Sequence, residues 1–367
     1  MGGGASLDCG HLTIDLSALA SNYKTMCAKT TSEAKDKSVS IAAVVKADAY
    51  GLGLEAVAPA LSKAGCVDFF VAQISEALQL RGLLPDATIY VLNGLGDTPA
   101  IFTKNNLIPC LINIEQIKLW QKAGDNPAAL MLDIGFNRLG LAATDLLDLA
   151  SDPTLFEGWQ LKMIIGHLAC SDDPDHPMNR AQAETFRDAC ATLPDAPKSL
   201  ANSGGVLLGA DYHFDMARCG IALYGGMEAD GIKPVATLTA PLLQIRQIVQ
   251  GESVGYSASF TASHDMQIGI IALGYGDGIP HRFGTKAQAV PLWLAEQAVP
   301  IIGKISMDTL AVNLTNLPLS GHLPPQIGDM VEVFGTHNPL PHLAKAGDTT
   351  AYELLTRLGK RTKRLYV

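Results

Sequence analysis

Ile41-Ala42-Ala43-Val44-Val45-Lys46-Ala47-Asp48-Ala49-Tyr50-Gly51-Leu52-Gly53 decides how the rest of the chain is read. Five consecutive apolar residues, partly β-branched, are what a strand buried on both faces requires, and the run stops at a lysine. Tyr50 and two glycines then turn the chain into Leu54 to Leu61, whose apolar spacing predicts a helix. Strand, lysine, turn and helix follow within about twenty residues.

Three readings of Lys46 compete. It can be a strand end reaching solvent, the bland outcome for a lone lysine. Gly51-Leu52-Gly53-Leu54-Glu55-Ala56 fits the G-x-G-x-x-A dinucleotide fingerprint with Asp68 as the ribose ligand, although Lys46 to Tyr50 intervene where the first glycine belongs. Finally, Lys46 can be a Schiff-base lysine at a barrel mouth, with the Tyr50 hydroxyl on a phosphate.

Outward from this stretch, residues 12 to 230 alternate apolar runs with amphipathic ones. Leu16 to Thr31 reads as helix. Strand-like runs stand at Ile41 to Lys46, Asp68 to Ala72, Thr88 to Leu92, Ile108 to Ile112, Ala128 to Asp133 and Lys162 to His167, with helical spacing at Ser75 to Arg81, Glu115 to Ala123 and Asn179 to Ala191. Serial βα units predict a (β/α)8 TIM-like barrel over residues 8–230. An open doubly wound sheet shares the pattern. The barrel is favoured because Lys46, Arg138, His167, Asn202 with Ser203, and Arg218 with Gly220 each follow a strand-like run, the positions that converge on one face of a barrel.

From residue 231 the texture changes to strands separated by glycine turns, without helices between them: Val235 to Thr239, Leu243 to Val249, Gly269 to Leu273, Val299 to Lys304 and Met330 to Phe334. A mainly β domain is expected over 231–367.

The chain has 367 residues, a formal net charge of −9 and 48% hydrophobic residues, which disfavours nucleic acid and anionic membranes as partners and favours a small molecule. The seven scattered cysteines, with no C-x-x-C pair, read as reduced thiols. Without a membrane-length apolar run or a secretory signal, the expected compartment is the cytoplasm. Met1 to Ser6 fits a myristoylation pattern formally, and a flexible leader explains it more simply. Asn313-Leu314-Thr315 is a formal glycosylation sequon without meaning in a protein that is not secreted.

Two other constellations carry less than they promise. Gly251-Glu252-Ser253-Val254-Gly255 spells G-x-S-x-G, but no helical face follows, so a β-turn is expected rather than a nucleophile elbow. His167, Asp172, Asp173, Asp175 and His176 match no zinc spacing, and no metal is expected.

Several separated motifs together resemble the alanine racemases, fold-type III pyridoxal-phosphate enzymes: Val44 to Gly53, Asp133 to Leu141, Gly166-His167, Ala201-Asn202-Ser203, Arg218 to Gly225, Val254 to Ser257, Gly274 to Gly278 and Gly303 to Asp308, in the family's order. The resemblance implies a homodimer with shared active sites and a two-base exchange of the Cα proton of alanine. Lys46 would carry pyridoxal 5'-phosphate and act on the D-enantiomer's side; Tyr256 from the partner subunit would act on the other. A phenol with an ordinary pKa of about 10 needs positive charge nearby, for which His167 and Arg218 are suited.

By the same resemblance Arg218 faces the pyridine nitrogen, and Tyr50, Asn202, Ser203, Tyr352 and the amides of Gly220 and Ile221 hold the phosphate end. Arg138 and the Met307 amide would hold the substrate carboxylate, Asp308 is a further substrate-binding candidate, and Tyr275 and Tyr352 would narrow the entrance. The product D-alanine would serve peptidoglycan synthesis, or the enzyme would catabolise it.

Met131 departs from a carbamylated lysine that braces the relatives' counterpart of Arg138, Ser306 from a cysteine, and Asp48 from an asparagine. The alternatives within the fold are a racemase of broader range, including serine, and an amino-acid decarboxylase. Against the decarboxylase stands Arg218, where those enzymes carry an acid. A non-catalytic pyridoxal-phosphate carrier would lack the second domain.

Overall fold

The computed structural model describes residues 9–33, 39–96, 98–315, 317 and 324–367. The leader Met1 to Ser6 lies outside them. The chain folds as two compact units, one from Ala20 to Leu223 and the other from Tyr224 to Val367 together with the N-terminal segment up to Leu19.

Strand β1 (His11–Ile14), which the apolar pattern does not announce, opens the chain. The first unit is then built on β2 (Ser40–Val44), β3 (Asp68–Val71), β4 (Thr88–Val91), β5 (Ile108–Leu111), β6 (Pro127–Met131), β7 (Gln160–Ile165), β8 (Lys198–Ser199) and β9 (Met216–Cys219). They pair in parallel in the order β8-β7-β6-β5-β4-β3-β2-β9. The amide of Asp215 donates to Lys198 O, and that of Arg218 to Ala201 O, each at 2.9 Å, so the ends β8 and β9 meet and the barrel closes. The interior is filled by large side chains such as Phe70 and Tyr90, stacked at 4.4 Å between ring centroids.

Intervening helices start where the sequence supplies a cap or a proline. Asn113 Oδ1 accepts from Gln116 N ahead of Ile114–Gln121, and Pro177 stands in the first turn of Pro177–Ala191. In that second helix the imidazole of His176 is the cap, accepting from Met178 N at 3.2 Å. Strand β2 ends at Val44, two residues before Lys46, because the chain leaves the sheet in a left-handed turn.

The second unit comprises β1 and β10 (Ala236–Ile248), β11 (Ser253–Val254), β12 (Phe260–Thr261), β13 (Met266–Ile271), β14 (Pro291–Leu294), β15 (Gln297–Ile302), β16 (Leu310–Asn313), β17 (Met330–Phe334) and β18 (Lys363–Tyr366). The main sheet runs β13-β16-β15-β14-β17-β10-β1-β18, and β13 also pairs with β10. The single strand β10 replaces the two expected segments. Its first part pairs with β17 as far as Pro241, and from Leu242 onward it pairs with β13. Proline has no N–H to give the ladder, and Pro241 falls where the strand changes partner.

The expectation of strands without helices is corrected by Leu340–Ala346 and Ala351–Thr356. Both are short, the first begun by a proline and the second by the Thr350 cap. Ser253 of the G-x-S-x-G sequence lies in the β11–β12 hairpin and leads into a three-residue turn, Tyr256–Ala258, so the strand-to-helix geometry of an elbow is missing there. Among the described residues no helix is long and apolar enough to cross a membrane.

Candidate active site

Lys46 follows the end of β2 at Val44, with Val45 between them, and the four residues after it, Ala47, Asp48, Ala49 and Tyr50, all have φ between 52° and 58°. Each non-glycine residue held there costs roughly 1–2 kcal/mol, so a run of four must be fixed from outside. The turn closes through Ala49 N to Val45 O at 3.0 Å and Gly51 N to Ala47 O at 2.8 Å, and exits through Gly51 and Gly53, with φ 81° and 97°. Asp48 Oδ1 accepts from Leu54 N at 2.7 Å, so the aspartate caps the next helix. Burial first, and then the Arg138 and Arg218 charges, hold the Lys46 amine below its ordinary range, with Glu76 opposing.

Arg218 on β9 is buried. Its Nη1 donates to Ser199 O at 2.8 Å and to Ser199 Oγ at 2.5 Å, its Nη2 to Gly166 O at 2.6 Å, and Nη2 lies 3.4 Å from His167 Nδ1. Among the described residues no carboxylate pairs with it. Burial pulls the guanidinium down to about 10, still protonated at neutral pH. A buried cation without a counter-charge is costly, and a group held so far from its ordinary pKa marks a functional position.

Burial pushes His167 down to about 3, helped by Arg218, Arg138 and Lys46, so the imidazole is neutral. The positive charge expected of the pair therefore resides on Arg218. With Arg218 donating toward Nδ1, the ring proton is assigned to Nε2, which can donate onward.

Arg138 has a brace that the sequence reading did not find. Its guanidinium carbon lies 4.1 Å from the centroid of the Phe136 ring, which in turn lies 5.4 Å from the His167 ring. Asp133 Oδ1 accepts from Gly135 N and Asn137 N, both at 3.0 Å, and shapes the loop carrying these groups. A phenylalanine two residues before the arginine in a glycine-flanked loop was the available signal.

Ser203 is buried, and its Oγ accepts from Gly220 N at 3.0 Å and Ala222 N at 3.3 Å, leaving one proton to donate. A Cβ built on Gly220 would stand 2.3 Å from Tyr50 Oη, so glycine there is what admits the tyrosine hydroxyl. Ile221 follows in the same buried turn, which Asn22 Nδ2 fastens by donating to Leu223 O at 3.2 Å. Asn202 has a structural job: its Oδ1 accepts from Gly205 N at 2.9 Å as the cap of Ser203–Leu207, and from Ser171 Oγ at 2.8 Å.

The remaining candidates stand on the second unit. Tyr256, Tyr275, Met307 and Tyr352 are all exposed there. Tyr275 N donates to Ser306 O at 3.1 Å and Gly276 N to Met307 O at 2.8 Å, which joins the two turns. Arg361 binds them further, with Nε 3.0 Å from Asp277 Oδ1 and Nη1 2.7 Å from Asp308 Oδ1. Asp308 is thus engaged as a brace. The Tyr256 turn rests on the same region, since Lys304 N donates to Ser259 Oγ at 2.9 Å and a Cβ on Gly255 would stand 3.0 Å from Lys304 N.

Among the described residues no three His, Cys, Asp or Glu side chains gather as a metal site would require.

With this geometry in place, comparison with known proteins is informative. Residues 14–228 match the alanine racemase N-terminal domain, and residues 235–366 the C-terminal domain. The alanine racemase of Rhizobium meliloti is 42% identical over 97% of this chain and 96% of its own length. The biosynthetic alanine racemase of Agrobacterium fabrum is 40% identical over 97% and 93%. Among solved structures, the Bartonella henselae alanine racemase with covalently bound pyridoxal phosphate superposes with a TM-score of 0.90 at 39% identity, covering 98% of this chain and 99% of that one. The biosynthetic enzyme of Pseudomonas aeruginosa gives 0.88 at 34%, with the same coverage. Both domain matches and the full-length likeness to these relatives agree with the fold described above, and the chain belongs to the alanine racemase family.

Proposed function

We propose that the chain interconverts L-alanine and D-alanine with pyridoxal 5'-phosphate held in the barrel. The observation that carries this is the buried Arg218 with no carboxylate partner, set beside Lys46, Arg138 and a neutral His167. The residues present fit the cofactor. Tyr50 Oη fills the space a Cβ on Gly220 would need, beside the Ser203 hydroxyl, and forms with it and the Gly220–Ile221 turn a cradle for a phosphate.

When bound, the cofactor supplies a carbonyl for imine formation and a ring that acidifies the substrate Cα–H. Lys46 would hold it at one end, with Tyr50, Ser203, Tyr352 and the Ile221 amide at the other, while the Gly220 amide, which donates to Ser203 Oγ, shapes the cradle. Arg218 would face the pyridine nitrogen, as a donor that stays protonated. Arg138 and the Met307 amide orient the alanine carboxylate, and Tyr275 narrows the approach. A depressed amine pKa leaves more of Lys46 neutral at a given pH, which suits a base taking the Cα proton from one face. Tyr256 serves the opposite face, with His167 Nε2 as a hydrogen-bond donor and Arg218 as the charge behind it. Arg218 in place of an acid argues against a decarboxylase.

Tyr256 is 67% exposed on its own unit, which supports its working in the site of a second copy of the chain. Residues 231–367 would then be the domain that completes the partner's site. The free cysteines fit the cytoplasm, and relatives named biosynthetic support supply of D-alanine for peptidoglycan.

Two measurements test this. Cofactor-loaded protein given each enantiomer of alanine and of serine should racemise alanine fastest; conversion of neither alanine enantiomer, or release of carbon dioxide instead, defeats the assignment. Mixing Lys46→Ala with Tyr256→Phe subunits should restore activity to about a quarter of the sites if each site draws on both copies. Failure to complement places both bases in one copy.

A further inference from the structure

The left-handed turn between Lys46 and Tyr50 is gripped by a carboxylate from another part of the barrel. Glu76 stands in the first turn of Ile74–Leu83, where its Oε2 accepts from Ala72 N at 2.8 Å and from Gln73 N at 3.0 Å. That half of the carboxylate does what a glutamate at this helix position commonly does, capping its own N-terminus. The other half does not. Oε1 accepts from Ala47 N at 2.6 Å, from a residue 29 positions earlier and next to Lys46.

Ala47 is the first residue of the run with positive φ, so the Glu76 bond holds the chain where it changes hand. At the far end Asp48 Oδ1 accepts from Leu54 N at 2.7 Å, fixing the exit. Between these carboxylate clamps the turn spans from the Lys46 amine to the Tyr50 hydroxyl, which lies against Gly220. Alanine at 47 and 49 has no side-chain means of favouring this conformation, so the hold must come from outside the turn.

We propose that Glu76 is a positioning residue, which by fixing Ala47 sets the separation between the amine that takes the cofactor's aldehyde and the hydroxyl that takes its phosphate. The inference rests on the reading of the barrel as a pyridoxal-phosphate site. Glu76 touches neither substrate nor cofactor and acts through Lys46 and Tyr50. Its charge also opposes Arg138 and Arg218 at the Lys46 amine, so its removal changes the amine's titration as well as its place.

The test uses the full-length apoprotein and pyridoxal phosphate. For Glu76→Ala the dissociation constant of the cofactor should rise at least about tenfold, and the pH midpoint of the bound cofactor's visible absorption should shift. Glu76→Gln keeps the volume but turns an amide N–H2 toward at least one backbone donor; it should show both effects more weakly, and it decides the matter should Glu76→Ala not fold. Ser75→Gly, an exposed change in the same helix, should lower the melting temperature while leaving both readouts as in the parent protein. Parent-like cofactor affinity and absorption midpoint in the Glu76 variants overturn the proposal, as does an equal response in Ser75→Gly. If the unaltered protein itself retains no cofactor on Lys46 after borohydride reduction, the site reading falls and this inference with it.

Discussion

The guanidinium of Arg138 lies 4.1 Å from the centre of the Phe136 ring, which in turn lies 5.4 Å from the His167 ring. A cation over an aromatic face contributes about 0.5–2 kcal/mol depending on exposure. Phe136→Leu should therefore raise the KM for alanine by about 3- to 10-fold, with a smaller change in kcat, and Phe136→Tyr should stay close to the parent. Steady-state kinetics in both directions measure it. Unchanged KM in Phe136→Leu would mean that something else orients Arg138.

Gly220 and Tyr50 are locked together by space. In Gly220→Ala the new methyl would stand 2.3 Å from Tyr50 Oη and 2.9 Å from Cζ, so the ring must move out of the cradle. Its main chain is not in the left-handed region, and the fold should survive. Cofactor affinity should fall by about tenfold or more, read by equilibrium dialysis, with little change in apoprotein melting. A parent-like dissociation constant would exclude Tyr50 from the phosphate end.

How much of this was legible in advance depended on whether a residue's type announces its environment. The run Ile41 to Val45 announced a buried strand ending near Lys46, and the polar residues following the later strand-like runs, Arg138, His167 and Arg218 among them, favoured the barrel. The left-handed turn after it did not, since Ala47 and Ala49 carry no preference for positive φ. Phe136 reads as an ordinary core residue and Glu76 as the polar side of a helix until the loops that face them are placed. Strands β1 and β8 are too short, at four and two residues, for alternation to declare itself. Pro241 broke β10 in the pattern but not in the fold, because a missing N–H does no harm at a change of partner.

Arg361 ties the Tyr275 turn to the Met307 turn through Asp277 and Asp308. Arg361→Ala should leave the absorption of bound cofactor unchanged while raising KM for alanine more than it lowers kcat, because the groups it aligns are proposed to meet the substrate rather than the cofactor. Arg361→Lys should recover only part of the loss, since a lysine replaces a planar fork by a single point of contact. A cofactor-binding defect in Arg361→Ala would contradict this division of labour.

His167 makes the apoprotein's stability depend on pH in one direction. Its folded-state pKa, pushed down to about 3 by burial and by Arg218, Arg138 and Lys46, lies below the value of about 6.5 expected in the unfolded chain. Below pH 6.5 the unfolded chain therefore binds a proton that the folded one refuses, and stability drains away as the pH falls toward 3. At pH 5 the loss from this residue is about 2 kcal/mol. Carboxylates titrate in the same range, so the measurement is a difference: denaturant midpoints of the apoprotein and of His167→Gln between pH 7 and 4. Glutamine stays neutral throughout, and the variant should lose less stability on acidification. Parallel curves would show that His167 accepts its proton in the folded protein, and the relay from Arg218 through a neutral imidazole would have to be abandoned.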